Sequence, residues 1–139
     1  MRALVLAAGR GSRLGSLTEA TPKCMVSLEG RPLLEWQMGA LRLAGIDRVA
    51  VVRGFCAHQL SFHGVQTFDN PRWQTSNMVE SLWCARAWLS GEDCIISYSD
   101  IVFHPEHVLA LVRCAGHLAV AYDLLWRDLW TARFSDPLV

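Results

Sequence analysis

The sequence predicts an α/β fold, a doubly wound and mostly parallel β-sheet with helices on both faces. Short continuous apolar runs, typical of strands buried on both sides, alternate along the chain with segments of helical hydrophobic period. Several of these runs end at glycine, serine or aspartate, and right-handed βαβ connections bring such ends to one edge of the sheet. We therefore expect a ligand site at that edge.

Each predicted element follows from its local pattern. The apolar run at 3–7 is a strand ended by glycine, and Arg31-Pro32 opens a helix that Gly45 closes as a C-cap. The remaining predicted elements are, in chain order, strands at 49–52 and 64–68, a helix at 77–89, a strand at 94–98, a helix at 105–114 and a strand at 118–122. Residues 1–139 contain no repeat and no low-complexity linker, so we expect a single domain.

The composition excludes several classes of protein. The 13 basic and 13 acidic residues cancel, which argues against nucleic-acid and membrane-surface binding. No apolar stretch approaches the roughly 20 residues that span a bilayer, and the N-terminus has no signal-peptide pattern. The five cysteines form no C-x-x-C pair, so we expect reduced thiols and a cytoplasmic protein.

In the stretch "LVLAAGRGSRLGSLTEATPKCM", residues 4–25, the end of the first strand is followed by a glycine-rich, basic loop. It lacks the spacing of a P-loop. It also fails as a dinucleotide fingerprint, because Leu14 stands where the third glycine belongs and Arg53, not an acidic residue, ends the second strand. Arg53 would leave only an NADP-binding version of that fingerprint.

A third interpretation uses the whole loop. Glycines let successive backbone N–H groups form an anion nest, and Arg13 and Lys23 flank that nest. A guanidinium suits bidentate phosphate contact, an ammonium suits a point contact, and Pro22 fixes the backbone just before Lys23. Either cation alone would more simply be a solvated surface residue, but together they indicate a triphosphate site.

The loop also resembles the signature of the nucleoside-triphosphate transferase family, the sugar-phosphate and choline-phosphate nucleotidylyltransferases. Ser16, where many members have proline, is a departure that affects loop stiffness. The resemblance implies a Rossmann-like nucleotidyltransferase fold, with Arg13 and Lys23 as catalytic residues. It implies nucleotide binding by the residues of the motif, which are Leu6, Ala7, Ala8, Gly9, Gly11, Ser12, Arg13 and Lys23.

Asp100 comes directly after the apolar strand at 94–98. A carboxylate at a strand end could hold Mg²⁺ between nucleotide and acceptor phosphates, or it could form an Asx turn. The family resemblance favours the first alternative, because it implies that an aspartate at this strand end is a magnesium ligand.

Asn77 and Ser81 lie one helical turn apart. Asn77 with Glu80 also fits an N-cap and its capping-box partner. The segment resembles the "N…SL" segment that the choline-phosphate cytidylyltransferase branch uses near the base, which implies base contacts for Asn77 and Ser81. The glutamine-proline-glycine segment typical of the hexose-phosphate branch is absent, which favours CTP.

Trp126 and Trp130 are four residues apart, with Asp123 and Asp128 close by. Aromatic faces beside carboxylates suit an amine or quaternary ammonium, although a core-facing aromatic pair on a helix is an equal alternative. The resemblance implies that Trp130, and secondarily Trp126, contact the acceptor.

The function implied is transfer of CMP from CTP, with Mg²⁺, to a small phosphorylated acceptor such as phosphocholine or a phosphonate, releasing pyrophosphate. Two alternatives stay open: a sugar-1-phosphate nucleotidylyltransferase, and a nucleotide-binding module with weak catalysis. The second alternative arises because the family's second magnesium-binding aspartate lies further downstream than residue 139. We therefore expect this chain to be the N-terminal, nucleotide-binding portion of the domain, with another chain, for example in a homo-oligomer, as one way to complete the site.

Overall fold

The computed structural model describes residues 1–133 of the chain. Among them the strands are β1 (Arg2–Ala7), β2 (Ser27–Leu28), β3 (Arg31–Pro32), β4 (Val49–Arg53), β5 (Gln66–Asp69) and β6 (Cys94–Tyr98). The α-helices are α1 (Leu33–Leu43), α2 (Met78–Cys84), α3 (Arg86–Leu89), α4 (Pro105–Arg113) and α5 (Trp126–Arg133), and 3₁₀ helices cover Ser12–Thr18, Lys23–Met25 and Ala57–Gln59. None of these helices has the length and apolar character that crossing a bilayer requires.

The main sheet is parallel and has the order β5-β4-β1-β6, while β2 and β3 form a separate antiparallel pair. The chain adds β4 and β5 on one side of β1, then returns to place β6 on the other side. The order therefore reverses between β1 and β6, and a crevice opens beyond the carboxyl ends of these two strands, where ligands bind in folds of this kind.

Strand β1 is the centre of the molecule, because all six of its residues are buried. Successive side chains of a strand point to opposite faces of the sheet. Ala3 and Val5 pack in one core with Leu34 and Leu41 of α1. Leu4 and Leu6 pack in the other core, whose remaining buried members are Ala8, Ala50, Val52 and Ala85. The doubly wound sheet with helices on both faces is confirmed.

The single helix predicted at 77–89 is in fact two helices, α2 and α3. The backbone of Ala85, which is fully buried against the sheet, leaves helical geometry at φ −99° and ψ 16°. This break turns α3 so that the Trp88 indole nitrogen donates to the Ala3 carbonyl oxygen at 3.1 Å. The packing of this segment on β1 thus outweighs the hydrophobic pattern that favours one continuous helix.

Two predicted strands differ from the structure. The weak strand at 64–68 lies instead at Gln66–Asp69, where it pairs in register with β4. The strand predicted at 118–122 does not form, and its apolar side chains, Leu118 and Val120 among them, are exposed. A strand needs a neighbour for its backbone hydrogen bonds, and among the described residues this segment pairs with none.

Candidate active site

A cavity of about 230 Å³ lies at the reversal point of the sheet. One wall follows β1, another follows β6, and a third is the segment that leads into α2. The structure brings together most of the residues predicted to bind nucleotide or metal, since Leu6, Ala8, Gly9, Gly11, Lys23, Asn77, Ser81 and Asp100 all line this cavity.

Gly11 determines how close Lys23 comes to the glycine loop. Its φ is +76°, and a Cβ added there would lie 2.8 Å from the Lys23 Cβ atom. Real Cβ atoms do not approach other atoms so closely, so the lysine stem occupies space that only glycine leaves open. Thr18, which is 1% exposed, donates its hydroxyl to the Gly11 carbonyl oxygen at 3.0 Å and closes the loop.

Lys23 and Asp100 form an ion pair across the crevice. The Lys23 ammonium nitrogen lies 2.6 Å from the Asp100 Oδ2 atom, although the residues are 77 positions apart. Both side chains are partly exposed to the cavity. The cation from the loop after β1 and the carboxylate from the loop after β6 therefore face the same volume.

Cys24 anchors the lysine to the core. It is 1% exposed and belongs to the core between β1 and α1. Burial raises the pKa of the Cys24 thiol to about 12. The thiol therefore stays protonated near neutral pH and contributes packing, not a nucleophile.

Asn77 is the N-cap of α2. Its Oδ1 atom accepts hydrogen bonds from the backbone N–H groups of Val79 at 3.0 Å and Glu80 at 3.3 Å. The structure thus confirms that the side-chain oxygen of Asn77 caps the helix. The residue still lines the cavity, so its contact with a base stays a prediction that rests on its amide nitrogen.

Ser81 is 4% exposed and is held by Asn70, a buried residue that the sequence interpretation missed. The Asn70 amide nitrogen lies 3.0 Å from the hydroxyl oxygens of both Ser76 and Ser81. Its Oδ1 atom accepts the backbone N–H of Arg72 at 2.9 Å. One asparagine therefore fastens the whole segment before α2, and the Asn-Pro pair at 70–71 is a turn signal that could have indicated it.

Trp73 is a second wall residue that the sequence interpretation missed. It meets Phe55 edge to face, with ring centroids 5.3 Å apart. A Cβ added at Gly54 would lie 2.6 Å from the Trp73 Cβ atom and 2.5 Å from the Ala8 carbonyl oxygen. The absence of a side chain at Gly54 thus allows the end of β4 to contact both the loop after β1 and Trp73. No local sequence pattern predicts this long-range contact.

Several predicted site residues lie outside the cavity lining. Ala7 points into the core on the other face of β1, because side chains alternate along the strand, so any nucleotide contact would come from its backbone. Ser12 and Arg13 are exposed on the 3₁₀ helix after Gly11. Trp126 and Trp130 are 45% and 39% exposed on α5, so the alternative of a core-facing pair is wrong. Their contact with an acceptor stays a prediction.

The residues that line the cavity could supply one ligand to a magnesium ion. No group of three or more histidine, cysteine, aspartate or glutamate side chains in residues 1–133 could enclose a metal. Mg²⁺ bound with nucleotides commonly uses one or two carboxylates, with phosphate oxygens and water as its other ligands. Asp100 offers one such carboxylate at the cavity.

Comparison with known proteins supports the resemblance seen in the loop. Residues 3–126 match the family described as the MobA-like NTP transferase domain. The chain is 36% identical to the CTP:phosphoglutamine cytidylyltransferase of Campylobacter jejuni, over 99% of this chain and 58% of that protein. It is 32% identical to the 2-aminoethylphosphonate cytidylyltransferase of Lancefieldella rimae, over 76% of this chain and 45% of that protein.

A solved structure shows the same fold. The CTP:phosphocholine cytidylyltransferase of Streptococcus pneumoniae aligns with a TM-score of 0.68 and 29% identity, over 76% of this chain and 49% of that one. The chain spans about half the length of these relatives.

Proposed function

The chain belongs to the MobA-like NTP transferase family, and on that basis we propose that it binds CTP and serves the transfer of CMP to a small phosphorylated acceptor. The acceptor is a phosphate or phosphonate such as phosphocholine, and the leaving group is pyrophosphate. Three of the proteins similar to this chain carry names that describe cytidylyl transfer to phosphoglutamine, 2-aminoethylphosphonate and phosphocholine.

The observation that carries the proposal is the convergence of three distant segments at one cavity. The loop after β1, the segment before α2 and the loop after β6 all line it, and Lys23 meets Asp100 there at 2.6 Å. A bare glycine turn would not bring the Asp100 carboxylate to face the Lys23 ammonium.

The proposed reaction is an in-line displacement at the α-phosphorus of CTP. An acceptor oxygen forms the new bond to phosphorus while the bond to the β-phosphate oxygen breaks, and its electron pair leaves with pyrophosphate. The acceptor is already an anion, so no strong general base is needed. Lys23, with Arg13 from the neighbouring 3₁₀ helix, neutralises and orients the triphosphate.

The proposal includes Mg²⁺, with Asp100 as its ligand from this chain. The ion would supply charge neutralisation between the nucleotide and the acceptor phosphate. We propose that Trp130 and Trp126 contribute to the acceptor side, where an aromatic face would favour an amine or quaternary ammonium.

The direct test mixes the purified chain with CTP, Mg²⁺ and an acceptor, and measures pyrophosphate. Phosphocholine, 2-aminoethylphosphonate and glucose 1-phosphate form the acceptor panel, and ATP, GTP and UTP replace CTP in parallel. We expect pyrophosphate release with CTP and either phosphocholine or 2-aminoethylphosphonate. Release with glucose 1-phosphate and another nucleotide instead would favour the sugar-1-phosphate alternative and contradict the proposal.

A second outcome of the same test concerns the length of the chain. Because the chain spans about half of its relatives, CTP could bind without turnover. A rise in the thermal unfolding midpoint with CTP, but no pyrophosphate, would assign a nucleotide-binding module. We propose that a second chain, in a homo-oligomer, could then complete the acceptor side, and that the protein works in a reducing compartment, since its five cysteines are free thiols.

A further inference from the structure

Gln37 is a buried polar residue close to the cavity, yet it is not among the residues that line it. It lies in the second turn of α1 and has 0% exposure. An amide buried in a core must find hydrogen-bond partners to offset its lost hydration.

Within residues 1–133, the three hydrogen bonds of the Gln37 side chain go to the end of β6 and to the loop that follows it. Its Nε2 atom donates to the Tyr98 carbonyl oxygen at 2.9 Å and to the Ile101 carbonyl oxygen at 2.6 Å. Its Oε1 atom accepts the hydroxyl of Ser97 at 3.0 Å. Carbonyl oxygens only accept, so the amide nitrogen must face the loop and the amide oxygen must face the serine.

These bonds bracket Asp100, which lies between Tyr98 and Ile101. On the other side of the same loop the Ser99 N–H donates to the Leu6 carbonyl oxygen at 3.2 Å. The loop that presents the Asp100 carboxylate is therefore tied to β1 by one bond and to α1 by the single side chain of Gln37.

Helix α1 also holds the segment that carries Lys23. The Leu33 N–H, at the first residue of α1, donates to the Val26 carbonyl oxygen at 3.1 Å. The Val26 N–H in turn donates to the Lys23 carbonyl oxygen at 3.1 Å. One helix thus supports both members of the ion pair across the cavity.

We propose that Gln37 is a positioning residue that holds the Asp100 loop at its spacing from Lys23, so that the carboxylate can share a metal ion with the bound triphosphate. This inference rests on the proposed function. Glutamine suits the task because it combines two donor hydrogens with an acceptor on a side chain long enough to reach from a helix to a loop. Methionine has the same length without the donors, and asparagine has the donors without the reach.

The test compares Gln37→Met and Gln37→Asn with the unmodified chain in two measurements. The first is amide hydrogen exchange of a peptide covering 98–103. The second is binding of Mn²⁺ to the protein with CTP, followed by electron paramagnetic resonance. We expect both variants to speed exchange in that peptide and to weaken Mn²⁺ binding by about 10- to 100-fold, the usual effect of removing a partner of a metal ligand. CTP binding in EDTA should change much less, because Lys23 remains.

Leu41→Ala is the matched control. Leu41 is fully buried on α1, one turn further along the helix, and its truncation destabilises the core without removing a bond to the loop. Equal effects of Leu41→Ala and Gln37→Met on exchange and on Mn²⁺ binding would overturn the inference, as would unchanged Mn²⁺ binding in both Gln37 variants. Failure of the unmodified chain to bind Mn²⁺ with CTP would overturn the proposed function and the metal role of Gln37 with it. Hydrogen exchange of the 98–103 peptide is measured without metal. Failure of the inference about Gln37 can therefore be distinguished from failure of the proposed function.

Discussion

At the scale of single residues, Lys23 and Asp100 place opposite charges at the same point of the crevice from segments 77 positions apart in the chain. If Lys23 neutralises the triphosphate as proposed, replacing it by alanine should remove that cation. We expect turnover to fall by about 100-fold or more, with a smaller change in the KM for the acceptor. Steady-state pyrophosphate release measures both.

Arg48→Ala is the control for that variant. Arg48 lies just before β4, at the edge of the sheet opposite the cavity, and forms an ion pair with Glu92. Its replacement therefore removes a surface cation that is far from the cavity. If the Lys23→Ala variant keeps the turnover and the CTP affinity of the unmodified chain, the role given to Lys23 is ruled out.

Gly11 and Gly30 offer a matched pair of substitutions, because both have φ +76°. A Cβ at Gly11 would collide with Lys23, whereas nothing lies within 4 Å of a Cβ at Gly30. Each alanine substitution should cost about 1–3 kcal/mol of stability for the left-handed backbone. Gly11→Ala should in addition weaken CTP binding, because the lysine must move. Equal CTP affinity in the two variants, measured by calorimetry, would contradict this reading of Gly11.

Cys24 should be the thiol most resistant to alkylation. Its raised pKa, caused by burial, keeps it protonated at pH 8, while Cys114 is exposed. We expect iodoacetamide to modify Cys114 in the folded protein and Cys24 after unfolding, as mass spectrometry of peptides would show. Because the folded pKa of Cys24 is raised, its contribution to stability is complete below the ordinary thiol pKa and is lost as pH rises toward about 12. Rapid labelling of Cys24 in the native state would argue against a tight core beneath Lys23.

At the scale of elements, the start of α2 combines two tasks in Asn77, and two substitutions separate them. Asn77→Asp keeps an oxygen for the Val79 and Glu80 N–H groups but loses the amide donor. Asn77→Ala loses both and should cost about 0.5–2 kcal/mol of stability. If Asn77 contacts the base, both variants should bind CTP more weakly while Asn77→Asp keeps its unfolding free energy. CTP binding by Asn77→Asp equal to that of the unmodified chain would leave the residue with capping alone.

The elements also show what local pattern can and cannot predict. The strand at 3–7 and the glycine loop after it were predictable because continuous apolar residues and glycine punctuation are local signals. The break at Ala85 and the failure of 118–122 to form a strand were not, since each depends on a neighbour distant in sequence. Asp100 was predictable from its place at a strand end, whereas Gln37 looks from its sequence like any polar position of an amphipathic helix.

At the scale of the whole molecule, the cavity beyond β1 and β6 is lined by residues that precede position 101. Residues 118–122 are exposed and unpaired with the described sheet. A chain that ends at Gly116 should therefore keep its CTP binding and its unfolding midpoint, but lose any effect of an acceptor if Trp126 and Trp130 contact it. Calorimetry with CTP, with and without phosphocholine, makes the comparison. Loss of CTP binding on truncation would show that the C-terminal segment supports the nucleotide site.

The family and the fold class were predictable from the loop motif and the strand–helix alternation, and both are confirmed. The arrangement of residues around the cavity was only partly predictable from the sequence. The edge of the sheet followed from topology, but Asn70, Trp73 and Gln37 reach the site through contacts across the fold. Such contacts depend on packing between elements, which a single sequence does not display.

The position of β6 has a consequence for how this protein behaves in a test tube. Among the described residues β6 pairs with β1 alone, and its Ile96 and Tyr98 side chains are about half exposed, so it presents an open backbone edge flanked by apolar groups. The isoelectric point of about 6.9 removes colloidal repulsion close to neutral pH. Solutions of this chain should scatter light most strongly near pH 7 and clear as the pH moves away from it, and a lysine in place of Ile96 should reduce the scattering.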